Sequence, residues 1–180
     1  MPACRLNREG QREIAMMRWG LIPYWATDPK IGYKTINAGA ETMATAPAFR
    51  AAFKKRRCLV PASGLHERKK DGGKQPHLIE MRDGSPFSFA GLCERWDKAE
   101  PPIETFTIIT GEPSSLVAGM HNRMPVILDP HDYDAWLTAA GTAIPQALLQ
   151  PFPAQLMWAY PVSKRINSPK NDDFIASIDA

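Results

Sequence analysis

At 180 residues the chain is long enough for one domain with a sizeable core, and 44% apolar with 23% charged residues is the composition of a globular protein rather than a disordered one. A net charge of +3 permits a nucleic-acid partner without requiring one. No apolar run approaches the ~20 residues that span a bilayer. The start, Met-Pro-Ala-Cys-Arg-Leu-Asn-Arg-Glu, lacks the apolar centre of a secretion signal. Cys4, Cys58 and Cys93 form no disulfide framework, so the protein reads as cytoplasmic, and 17 prolines predict many loops and short elements.

In chain order, residues 1–13 are polar and read as a loop or frayed strand. Ile14–Ile22 turns apolar and predicts a buried strand, which Pro23-Tyr24-Trp25 breaks before a polar loop, Ala26–Lys34. Thr45 suits a helix cap and Pro47 a first turn, predicting a helix from Thr45 towards Arg57 with Phe49 and Phe53 on one face. The basic run Lys54–Arg57 then complements the helix dipole, with phosphate binding a secondary reading. Cys58–Ala62 predicts a short buried strand. Leu65–Lys69 and Pro76–Met81 predict paired strands across Lys70–Lys74, and Asp83-Gly84 a second hairpin turn into Pro86–Cys93. Thr105–Thr110 is strand-like, Ser114–Met120 one or two helical turns, and Met124–Leu128 a strand. Asp129-Pro-His-Asp starts a helix ending by Gly141, followed by a short helix at Ile144–Leu149 and a strand at Leu156–Pro161. The class is α+β: β-rich, mainly antiparallel, with a few short helices, in one domain over residues 1–180.

Three polar clusters interrupt the apolar runs: Asn37 to Glu41, Ser63 to Glu67, and Met120 to Pro125. Together they suggest one site assembled from distant segments. The four histidines and three cysteines fall into no ligand motif, and no glycine-rich nucleotide loop occurs, so neither metal nor cofactor is expected. His121 alone reads best as a loop histidine bonded to backbone, and Glu67 as a solvated charge. Their setting beside Gly64, Pro125 and apolar strands favours burial, and a buried carboxylate needs a partner. A Glu and a His in one pocket transfer protons near neutral pH, and Asn37 suits an oxyanion or a carbonyl. Trp25 divides evenly between core packing and a stacking platform for unpaired bases, with Arg123 on phosphate.

Arg18-Trp-Gly-Leu-Ile-Pro-Tyr-Trp25, Ile36-Asn-Ala-Gly-Ala-Glu-Thr42, Arg57-Cys-Leu-Val-Pro-Ala-Ser-Gly-Leu-His-Glu67, His121-Asn-Arg-Met-Pro125 and Pro161-Val-Ser163 resemble, in order, the blocks of the SOS-response-associated peptidase (SRAP) family. The resemblance implies an SRAP-like fold with a basic channel for single-stranded DNA. It also implies covalent capture of abasic sites in the DNA damage response, and an autoproteolytic peptidase activity. In the family an N-terminal cysteine supplies an amine to the open-ring aldehyde and a thiol that closes a thiazolidine. Carried over, Asn37 positions that cysteine or the sugar, Glu67 is the general acid–base on the Schiff base, and His121 protonates the sugar ring oxygen. Trp25, Thr110 and Arg123 fall where the family contacts DNA.

The family opens Met-Cys-Gly-Arg, several dozen residues before the block that here begins at Arg18. The expectation is a protein that begins upstream with Met-Cys, the alternative a chain that binds single-stranded DNA without catalysis. Cys4 is no substitute, because its nitrogen is an amide. Gly39 stands where the family usually has arginine, and Arg68 where an aromatic is common, which alters the DNA contacts.

Overall fold

The computed structural model describes residues 1–68, 75–139 and 146–167. Its first strands, β1 (Pro2–Leu6) and β2 (Arg12–Met16), form an antiparallel hairpin. The turn is local chemistry: the Asn7 side-chain oxygen accepts from the N–H groups of Glu9 and Gln11. The polar opening is therefore a ladder, not a loop or frayed strand, and Ala3 within it is fully buried.

The expected single strand at Ile14–Ile22 is broken. Ile14 and Met16 are exposed, β3 (Arg18–Trp19) pairs with a different strand, and Gly20 turns the chain at φ +108°. A Cβ on Gly20 would sit 2.3 Å from the Gly32 carbonyl oxygen, so two backbones meet where no side chain fits. The expected loop contains a 3-10 turn at Pro29–Lys34, capped by the Asp28 carboxylate. Thr35 then bonds back through its hydroxyl to the Leu21 carbonyl at 2.6 Å, delivering the chain to β4 (Asn37–Gly39).

The next helix, α1 (Arg50–Lys55), starts later than expected, because the Thr45 hydroxyl donates to the Thr42 carbonyl instead of capping. Phe49 and Phe53 do share a core face. Arg57 is not at the helix end but opens β5 (Arg57–Ala62), buried over the Phe53 and Trp136 rings. The strands β6 (Leu65–Arg68) and β7 (Pro76–Met81) pair antiparallel as expected, while their connecting turn lies outside the described residues. The Asp83-Gly84 turn is built as anticipated, with Gly84 at φ +72°. It joins two sheets, however, and closes no hairpin.

Then come β8 (Phe87–Trp96), β9 (Ile103–Gly111) and α2 (Ser115–Ala118). The run Met124–Leu128 splits into β10 (Met124–Pro125) on β9 and β11 (Ile127–Leu128) on β8, with Val126 bonded to both neighbours. Asp129 caps a 3-10 turn that leads into α3 (Tyr133–Thr138). The expected helix at 144–149 is described from residue 146, as a 3-10 turn. The last strand is β12 (Met157–Pro161).

The larger sheet runs β10-β9-β8-β5-β1-β2, and the smaller β12-β7-β6. The β-rich α+β class holds, but the large sheet is mixed: β3 and β4 lie parallel on β9. One core cluster centres on Phe106, Ile108 and Ile79, a second on Trp136, Leu92 and Ile109, and a smaller third on Ile22, Ala26 and Trp96. Cys58 and Cys93 are buried free thiols. No helix among the described residues is long and apolar enough to cross a membrane.

Candidate functional site

The site hangs on β9. Asn37 on β4 pairs in register with Ile108, and Gly39 with Thr110. Alternation along β4 turns Ala38 into the core and leaves Asn37 and Gly39 on the other face, about 7 Å apart. Space above Gly39 is shared by the Glu41 carboxylate, the Thr42 hydroxyl and the Arg123 guanidinium, all within 3.4 Å of where a Cβ would stand.

Arg123 is held from two sides. Its guanidinium donates to both Glu41 oxygens, at 2.7 and 2.9 Å, and to the Thr110 carbonyl. This fork fixes the plane of the guanidinium. The Arg123 hydrogen bond holds the Glu41 carboxyl below the usual carboxylate range. Glu41 thus joins the site, although the sequence offered only its setting among small residues as a sign. Its partner is 82 positions away.

His121 follows α2, and its N–H donates to the Val117 carbonyl at 2.9 Å. Its Nδ1 lies 2.9 Å from the Arg123 carbonyl and 3.1 Å from the Arg123 N–H. The ring is thereby tied to the same segment that carries the clamp. In the tautomer with Nδ1 unprotonated it accepts from the N–H, and in the other it donates to the carbonyl, so either tautomer has a partner.

Glu67 sits on β6 on the same face as buried Leu65, with His66 and Arg68 turned to solvent. Gly64 makes this possible: a Cβ there would come within 2.8 Å of Leu78 and 3.1 Å of the Ile79 carbonyl, so only glycine lets β6 lie this tightly on β7. Burial pushes the Glu67 carboxyl above the usual carboxylate range, opposed by the nearby His121 ring and the Arg68 N–H. Across the ladder Glu67 faces His77, a neighbour that sequence spacing did not indicate.

Glu67, His121, Arg123, Thr110 and Glu41 therefore form one connected group, with Asn37 one pleat away. Trp25 stands apart. It is 45% exposed, bonded through its indole N–H to the Pro47 carbonyl, and receives Lys98 on its own carbonyl. Cys4 lies within β1, packed against the core, and burial raises its thiol. Among the described residues no group of three or more His, Cys, Asp or Glu side chains is placed to hold a metal.

The sequence matches the SOS response associated peptidase (SRAP) family over residues 1–169. It is 44% identical over 172 residues to abasic site processing protein YoqW of Bacillus subtilis (strain 168), covering 93% of this chain and 77% of that protein. It is 34% identical over 188 residues to abasic site processing protein HMCES of Gallus gallus, covering 90% and 56%. A crystal structure of a protein from Bacteroides thetaiotaomicron superposes with a TM-score of 0.80 at 32% identity, covering 95% of this chain and 78% of that one.

Proposed function

The chain belongs to the SOS response associated peptidase (SRAP) family, and from that premise we propose that it processes abasic sites, capturing the lesion covalently within single-stranded DNA. The observation that carries this reading is the desolvated Glu67 carboxyl beside the His121 ring. An abasic sugar is mostly a closed ring, and His121 donates a proton to the ring oxygen as the C1 hydroxyl gives its own to water and the aldehyde opens. An amine adds to the aldehyde, its extra proton moving to the new alkoxide. Glu67 in its protonated form gives a proton to the hydroxyl of the adduct, which leaves as water and yields the protonated imine. A thiol on the same residue as the amine then adds to the imine carbon and closes the ring, its proton passing to the Glu67 carboxylate. A carboxyl with a raised proton affinity suits both halves of this cycle. Asn37 positions the reacting groups, and Arg123, Thr110 and Trp25 meet the strand.

Cys4 does not fit the role of nucleophile. It is internal to β1, and its thiol is raised by burial. That observation favours, as the second reading, a module that binds single-stranded DNA without bonding to it. A denaturing gel separates the two. This chain and a version extended upstream to the nearest Met-Cys are incubated with an oligonucleotide bearing one abasic site. Covalent capture is expected from the extended version. No adduct from it overturns the reading and leaves non-covalent binding.

The Glu41 clamp supplies a further expectation. Glu41→Gln removes the carboxylate that competes with phosphate for Arg123. Binding to undamaged single-stranded DNA should tighten about threefold at low salt, and the log–log salt slope should steepen by about 0.7, one added phosphate contact. Fluorescence anisotropy across a salt series reads both. An unchanged slope would show that Arg123 stays away from the backbone.

A further inference from the structure

Two open cavities flank α1, and Arg123 lines neither. The first, about 660 Å³, is lined by Tyr24, Arg50 and Lys54, and the second, about 620 Å³, by Arg5 and Arg8. Lys55, Arg56, Glu94 and Arg95 line both, so the two are continuous. The acids here are mostly committed. Glu13 and Glu104 hold Arg5, Glu94 holds Arg56, and Asp97 holds Arg95. Arg8, Arg50, Lys54 and Lys55 are exposed and have no ion pair among the described residues, against the one uncommitted carboxylate of Glu9. Lys54 and Lys55 do lie in the last turn of α1. A helix dipole, however, attracts charge only at its own end, and Arg8 comes from a different part of the chain.

The near end of the tract is marked by two aromatics that stand apart from the Glu67–His121 group. Tyr24, 58% exposed, adjoins Trp25, and the Trp25 indole is bonded to the segment leading into α1. The Tyr24 backbone lies close enough to the Glu94 carboxylate to work against the rise that burial gives its proton affinity, and Tyr24 and Glu94 line the same cavity. The far end lies beside Glu104 at the start of β9, six residues and about 20 Å from Thr110 at the other end of that strand.

We infer that this tract is a second nucleic-acid surface, which holds the phosphodiester backbone of the single strand running on from the lesion past Trp25. The inference rests on the reading of Glu67 and His121 as the place where the lesion sits. Its chemistry is non-sequence-specific: mobile cations on phosphates, with Tyr24 and Trp25 offering faces to unpaired bases.

The test uses the full chain and its Arg50→Ala/Lys54→Ala/Lys55→Ala variant. The three side chains are exposed and make no ion pair within the described residues, so the fold should be undisturbed. The probes are single-stranded oligonucleotides of about five and about 25 nucleotides, each with a central tetrahydrofuran that mimics the abasic sugar but has no aldehyde, so binding is read without crosslinking. Wild type should bind the long probe at least about tenfold more tightly than the short one. The variant should lose most of that gain, keep its affinity for the short probe within about twofold, and show a salt slope on the long probe shallower by about 2, near 0.7 for each lost cation. An unchanged affinity and slope on the long probe overturns the inference. So does an equal loss on both probes, which would reflect a general field over the protein. Failure of the lesion chemistry is read separately, as absence of an adduct on the denaturing gel.

Discussion

In the version extended upstream to Met-Cys, Glu67→Gln should slow adduct formation about a hundredfold or more, the usual weight of a positioned acid–base group, while making the protein more stable at pH 7. The two effects have one cause. Burial raises the Glu67 carboxyl, so ionising it costs more in the folded protein than in the unfolded chain. Its contribution to stability is complete below the ordinary glutamate value of about 4.3 and is lost as pH rises through the raised folded value. Glutamine keeps the shape and carries no charge. The variant should therefore melt about 2 °C higher at pH 7, and the difference should vanish below about pH 4, where both side chains are neutral. Thermal melts at both pH values, beside a time course on a denaturing gel, check this. A variant that crosslinks at the wild-type rate would return Glu67 to a structural role. A melting temperature lowered at pH 7 would mean that the carboxylate is held by contacts stronger than its desolvation.

The second large effect lies outside the chemistry. Gly20→Ala should cost about 3 kcal/mol, a fall of about 6–12 °C in Tm, because the new methyl meets the Gly32 carbonyl and a backbone at φ +108° that side chains rarely adopt. Gly10 is the control. It has φ +78° but nothing within 4 Å of an added Cβ, so Gly10→Ala should cost about 1 kcal/mol, the left-handed penalty alone. Equal melting temperatures for the two variants would refute the close approach. The Gly20–Gly32 contact is also what folds the Tyr24–Trp25 loop back and returns the chain through Thr35 to Asn37. Gly20→Ala should therefore weaken DNA binding as well as the fold.

Much of the β framework was legible in the residues. Cys58–Ala62, Pro76–Met81 and Thr105–Thr110 are apolar or β-branched runs bounded by turn chemistry, and each is a strand within a residue or two at most points. The failures have physical reasons. Ile14–Ile22 has one continuous apolar character, but a glycine contact with a segment twelve residues further on decides where it bends. The polar face of Pro2–Leu6 disguised a strand whose alternate residue, Ala3, is buried. Thr45 had the chemistry of a cap, yet the turn at Thr42 took its hydroxyl. The candidate residues stood out as polar interruptions of apolar runs, and Glu67 and His121 lie close together in the structure. Trp25 does not join them, because its indole is bonded to the Pro47 carbonyl in the segment ahead of α1. The Glu41–Arg123 fork and the Glu67–His77 register depend on pairings between remote segments, which no local pattern encodes.

One strand, Ile103–Gly111, bears β3, β4 and β10 as well as β8, and this sets the order of events when the protein is made. Asn37 leaves the ribosome well before the strand that supports it exists, whereas Glu67 on β6 rests on β7, which follows it closely in the chain. The parallel pairings of β3 and β4 span some 70 to 90 residues, and contacts at such separation form late and slowly. Until β9 has been synthesised and docked, Asn37 has no ladder partner and Arg123, still later in the chain, has no Thr110 carbonyl to meet. A partly made chain thus carries Asn37 and Glu41 before the ladder and the Arg123 fork that fix them, and this part of the candidate site waits for the finished sheet.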